Sequence, residues 1–225
     1  RIAKIFTEHC VLQREMSVPV CGWSEPGSRV TVEFAGQKKT ATADGNGKWL
    51  LRLDPMKASR ESRELTVSSA GQSVTLQDVL VGEVWLASGQ SNMGFSVSGD
   101  WKAEVESLAS RHPNLRLISV PQVGTQELKD DFRGKWEAAT PQTCAGFSAV
   151  GFFFGRYLHE ILGVPVGLID NAWGSTLIEP DDAKGLAFSL PESLSQKAGL
   201  FTWHLLAGQT VLKSGEGMIK PAKMP

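Results

Sequence analysis

Apolar and polar residues follow two different rhythms along this chain. Up to about residue 80 the period is two and the runs are short. Arg29-Val-Thr-Val-Glu-Phe34 sets Val30, Val32 and Phe34 on one face and Arg29, Thr31 and Glu33 on the other, the pattern of a strand with one buried side. Segments 18–23, 39–43, 48–53 and 63–68 read as further short strands. Between them lie Glu25-Pro-Gly27, Ala35-Gly36 and Asp44-Gly-Asn-Gly47, the last a strong hairpin signal. Repeated short strands with regular turns predict a small all-β sandwich over residues 1–80.

After residue 80 the rhythm changes. Val84-Trp-Leu-Ala87 is a continuous apolar run, as expected of a strand buried on both faces, and 115–120 is a second such strand. Residues 148–162 switch to helical spacing, with Val150, Phe153, Phe154, Tyr157, Leu158 and Ile161 on one broad face. Gly163 stops that helix, Pro165 follows, and 166–170 is the next strand. This βαβ spacing predicts an α/β domain over 81–225, a parallel sheet with covering helices.

Composition narrows the function classes. The 225 residues carry a formal net charge of −1 with Lys and Arg dispersed, so the basic footprint of a nucleic-acid binder is missing. No apolar run reaches the length of a membrane span. The chain begins at Arg1 without a secretory leader pattern, which reads as a trimmed start. Its three cysteines form no C-x-x-C pair, and no His/Cys cluster suggests a metal; no cofactor is expected. A bridge between Cys10 and Cys21 stays open.

In open α/β sheets, ligands bind beyond the carboxyl ends of the strands. Two strands here end in small and polar residues, Ser88-Gly-Gln-Ser-Asn92 and Asn171-Ala-Trp-Gly-Ser-Thr176. Ser91 at such a tip is a candidate nucleophile; the plainer reading is a hydroxyl in an ordinary Gly-rich turn. Backbone N–H groups there are placed to stabilise an oxyanion, at a few kcal/mol per donor. Serine also needs a base. Of four histidines, His9 falls in a turn, His112 precedes Pro113 in a solvated loop, and His159 lies on the exposed side of the helix. His204 reads as a core position, and none of the four has an Asp three residues before it. Asp181 and Asp182 are candidates for paired carboxylates, against the rule that adjacent residues in a loop usually face different ways. Phosphate-binding loop patterns are absent. Trp173, beside Gly174 at a strand tip, stands out from the other tryptophans.

Three segments carry a resemblance. "DVLVGEVWLASGQSNM" (78–93) resembles the first catalytic block of the sialate O-acetylesterase family, carbohydrate esterases of the SGNH-hydrolase superfamily. "FTEHCVLQREMSVPVCGWSEPGSRVTVEFAGQ" resembles the β-domain that precedes that esterase fold, and "FSAVGFFFGRYLHEILGVPVGLIDNAWGST" its helix, strand and second block. The resemblance implies an SGNH-type sheet, incomplete in this chain, and a serine esterase removing O-acetyl groups from sialic acid or related sugars. It makes Ser91 the nucleophile, the N–H groups of Ser91 and Gly174 part of the oxyanion hole, and Gln90, Asn92 and Trp173 substrate contacts. Gly174-Ser175-Thr176 stands where the family usually has Gly-Gly-Thr, and the Cβ of Ser175 narrows the backbone choices there. The family's base and its orienter come from an Asp-x-x-His motif that this chain lacks. The expected partner is therefore the C-terminal remainder of the same protein, besides an acetylated sugar. An acetylxylan-type esterase and a non-catalytic carbohydrate-binding relative are the alternatives. Extracellular glycans as substrates imply a periplasmic, secreted or lysosomal location.

Overall fold

The structure, a computed structural model, describes residues 1–124, 129–174, 199–207 and 210–219. The chain divides into two compact units, Arg1–Ser175 and Thr176–Pro225. Of the second unit, an antiparallel pair is described, β11 (Gly199–Ala207) with β12 (Thr210–Ile219).

The first unit begins with β1 (Val11–Gln13), β2 (Val18–Trp23), β3 (Arg29–Phe34), β4 (Gln37–Thr42), β5 (Lys48–Leu53), β6 (Ser59–Ser69) and β7 (Gln72–Gly89). It continues with a helical turn at Val97–Gly99, α1 (Ala103–Leu108), β8 (His112–Ser119), β9 (Glu137–Ala139), α2 (Pro141–Ala145), α3 (Ala149–Leu162) and β10 (Val166–Ala172). β2 and β5 form an antiparallel pair that packs on the antiparallel run β4-β3-β6-β7. The alternating pattern explains the packing. Val30, Val32 and Phe34 of β3 are buried against Val20, Leu51 and Leu53 of the facing pair, and their polar neighbours face outward.

β7 is the structural spine. Its first half pairs antiparallel with β6, and its second half pairs parallel with β10, register Glu83 to Val166 through Gly89 to Ala172. The residue-80 boundary expected from the sequence falls inside this strand. The β6–β7 register shifts near Asp78, which has φ 55°, and such bulges bend and twist a strand. One strand thereby joins the sandwich to the second sheet, β7-β10-β8-β9, parallel in its first three strands. The α/β class expected for this region is what the structure has.

Helix α3 covers one face of the parallel strands, and its docking differs from expectation. Two glycines set the closest approach to the sheet, with Phe152 buried beside them. A Cβ added at Gly155 would lie 2.5 Å from Leu168 Cδ1, and one at Gly151 3.2 Å from Ala87 Cβ. The buried side is Ala149, Gly151, Phe152 and Gly155, whereas Val150, Phe154, Tyr157 and Ile161 of the predicted apolar face are exposed. Gly163 ends the helix in the left-handed conformation, φ 64°. All three cysteines are free, so the open question of a Cys10–Cys21 bridge resolves to two thiols. Complete burial pushes the Cys10 thiol up to about 12.

Candidate active site

β7 and β10 run parallel and end side by side, so the two suspect termini meet. Gly89 closes β7 at φ 142°, a conformation that favours glycine, and Gly94 N–H donates to Gln90 O at 2.9 Å to close the following turn. Trp173 N–H donates to Gly89 O at 2.9 Å, holding the second terminus against the first. Ser91 rides exposed on this turn. Gly174 lies directly against it: a Cβ added there would be 3.4 Å from Ser91 Oγ and 3.5 Å from Ser91 Cα. Among the described residues, neither the Ser91 nor the Gly174 N–H is hydrogen-bonded.

The remaining sequence candidates surround this pair. Asn92 is exposed on the same turn, and Gln90 contributes its carbonyl to the turn's closing bond. Trp173 is 38% exposed, its ring edge near Gly124 in the segment after β8. Gln122 of that segment donates from Nε2 to Ala172 O at 3.0 Å. The site thus spans the ends of three neighbouring strands.

None of the three histidines with described side chains bonds Ser91. His9 (φ 66°) bonds Asp78 through Nδ1 at 2.7 Å. His112 is not in a solvated loop: it begins β8, and its Nε2 is buried without a partner. Burial, followed by the charges of His159 and Arg156, lowers its pKa. His159 shares the sheet-facing side of α3 with Phe152 and Gly155 and is half-buried, donating from Nδ1 to Val164 O at 2.6 Å. The readings of the His204 side chain and of Asp181 and Asp182 lie outside the described residues. Among those residues no group of three His, Cys, Asp or Glu side chains is placed to hold a metal.

Two supporting residues escaped the sequence reading. Ser148 caps α3, its Oγ accepting from Gly151 N–H at 3.0 Å and donating to Met93 O at 2.5 Å. Ala149 N–H also donates to Phe95 O, at 2.8 Å, so the start of α3 clamps the chain just after Ser91. Asp170 at the end of β10 accepts from Ala172 N–H at 3.2 Å and from the Ser148 backbone. Burial raises its pKa, and these bonds oppose the rise. A serine just before an apolar helical run is a readable N-cap signal; the reach of its hydroxyl to Met93 is not.

No protein-family model matches the chain. It is 34% identical over 198 residues to the sialate O-acetylesterase of Mus musculus and 32% identical to that of Homo sapiens, each match covering 80% of this chain. Those matches cover 37% and 38% of the relatives, so the chain spans little more than a third of their length. Among solved structures, a carbohydrate acetylesterase from Xanthomonas citri is 35% identical with a TM-score of 0.76, over 80% of this chain and 41% of that one. Over the matched residues the chain is similar in sequence to the sialate O-acetylesterases and shares the α/β fold of a carbohydrate acetylesterase.

Proposed function

We propose that this chain carries the nucleophile of a serine ester hydrolase that removes O-acetyl groups from sialic acid or a related sugar. The observation that carries the reading is the contact of Gly174 with an exposed Ser91 where two parallel strands end. In this mechanism Ser91 Oγ attacks the acetyl carbonyl carbon while a base takes its proton. The oxygen that becomes negative is received by the N–H groups of Ser91 and Gly174. Collapse of the tetrahedral intermediate breaks the bond to the sugar oxygen, which leaves with the proton held by the base. Water then attacks acetyl-Ser91, releasing acetate and the free hydroxyl. The base and its orienting carboxylate come from the part of the longer protein to which the relatives' extra length corresponds. Gln90, Asn92 and Trp173 line the approach to Ser91, the indole offering an apolar face to a sugar ring. Such a substrate fits a periplasmic, secreted or lysosomal location; among the described residues no helix is long and apolar enough to cross a membrane.

The test is acetate release by the longer protein from p-nitrophenyl acetate, O-acetylated sialic acid and acetylated xylan. Ser91→Ala is expected to lower kcat by about 10⁴-fold or more, the scale seen when a nucleophile is removed. Equal turnover in wild type and variant would remove Ser91 from the chemistry. Inertness of both would favour a non-catalytic carbohydrate binder, and preference for xylan would move the substrate assignment.

A further inference from the structure

We infer that Asp170 is a positioning residue: its one carboxylate ties the turn carrying Ser91 to the strand end carrying Gly174 and so fixes the gap between their N–H groups. The inference rests on the reading of Ser91 and Gly174 as nucleophile and oxyanion donor.

The fold sets Asp170 under both halves of the site. Side chains alternate along β10, so Leu168, Asp170 and Ala172 share one face. Leu168 is the residue against which Gly155 packs, so this is the face that α3 covers. The start of α3 stands over Asp170, whose carboxylate accepts from the Ser148 backbone N–H. Its Oδ1 also accepts from Ala172 N–H at 3.2 Å. Each bond leads to a different half. Ser148 Oγ donates to Met93 O and Ala149 N–H to Phe95 O, which holds the end of the Ser91 turn. Ala172 precedes Trp173, whose N–H is fixed on Gly89 O, and then Gly174. The halves also meet directly, since a Cβ added at Gly94 would lie 3.7 Å from Ala172 Cβ.

The tie depends on charge. Across β7 and β8 the neighbours of Asp170 are Ala87 and Ser119. The segment Gly94-Phe-Ser-Val97 is uncharged, and α3 has no charged side chain before Arg156, which pairs with Glu106 at 2.8 Å. Backbone N–H groups and the positive end of the 14-residue α3 therefore meet the Asp170 charge. An ionised carboxylate offers both oxygens as acceptors; protonation or amidation turns one of them into a donor facing an N–H. Half-burial raises the Asp170 pKa above 3.8, so the tie loosens at a higher pH than an ordinary aspartate would allow.

The test uses the longer protein. Asp170→Asn keeps the shape and should lower kcat for p-nitrophenyl acetate by about 10- to 100-fold with KM changed by less than about twofold, the signature of a misplaced reacting group. Asp170→Ala, which removes both acceptors, should fall further. A kcat for the Asn variant within about twofold of wild type, or a loss carried by KM, would overturn the inference. Amide nitrogen shifts in the wild type read the tie without turnover and without a variant that must fold. The Ser148 and Ala172 amides should titrate with one midpoint above 3.8, and those of Ser91 and Gly174 should follow it. Ser91 and Gly174 amides that ignore this step would equally overturn it. Full turnover by Ser91→Ala would remove the esterase reading alone, and the four-amide titration would still read the tie.

Discussion

At the scale of single residues, Ser148 controls where Ser91 stands without touching it. Its Oγ is shared between the cap of α3 and the carbonyl of Met93, two residues beyond Ser91. Ser148→Ala removes both bonds. Loss of an N-cap costs about 1 kcal/mol, and the Met93 carbonyl loses its donor. The expected outcome is a modest fall in thermal midpoint with a larger fall in kcat than in KM, because a loosened turn misplaces the proposed nucleophile more than it weakens substrate contact. Ser148→Thr keeps the hydroxyl and should recover most of kcat. Equal loss in the Thr and Ala variants would show that packing, not the hydroxyl, matters here. The strand tip that carries Ser91 was legible in the sequence because an apolar run breaking into Gly-Gln-Ser-Asn is a local signal, whereas the nucleophile's role came only from the resemblance. Ser148's role was not legible, because the bond to Met93 joins positions 55 apart in the chain.

At the scale of elements, α3 shows how glycines select the docking face of a helix that is apolar on both sides. The period of its apolar residues predicts the helix and its end at Gly163. It does not predict which side meets the sheet, because apolar residues occur on both sides. Gly151 and Gly155 decide, since only they permit the approach to Ala87 and Leu168. Gly155→Ala should therefore destabilise the protein by about 1–3 kcal/mol through overpacking against Leu168, despite the better helix propensity of alanine. Chemical denaturation checks this; a stabilised variant would mean that the helix shifts freely on the sheet. The sandwich strands were legible because their alternation and turn residues are local signals. The 18-residue span of β7 was not. Its first half alternates weakly, and its change of partner near Asp78 depends on β6 and β10, far away in the chain.

Within the first unit, the sandwich and the parallel sheet are joined covalently by β7 and electrostatically by a part-buried cluster beside it. Arg116 of β8 is almost wholly buried, donating to Pro113 O at 2.7 Å and His9 O at 3.1 Å and pairing with Asp78 Oδ2 at 2.7 Å. Asp78 also bonds His9 Nδ1, so the N-terminal segment, the spine strand and the parallel sheet meet at one carboxylate. Burial alone would raise the Asp78 pKa, but hydrogen bonds from Arg116, His9 and Ser62 outweigh it and hold the group at about 2, below its ordinary 3.8. A depressed carboxylate pKa stabilises the fold above the unfolded value, and that stabilisation is lost as pH falls from about 4 through about 2. Asp78→Asn leaves the buried Arg116 guanidinium without its counter-charge. It should lower stability near neutral pH by about 2–3 kcal/mol, less than for a fully buried pair because Asp78 is partly exposed. The gap between wild type and variant, read from unfolding midpoints at a series of pH values, should be full at pH 6 and close as pH drops toward 2, where protonated Asp78 is itself neutral. A gap that stays constant down to pH 2 would mean that the variant acts through shape alone and that the charge at this junction does not hold the two sheets together.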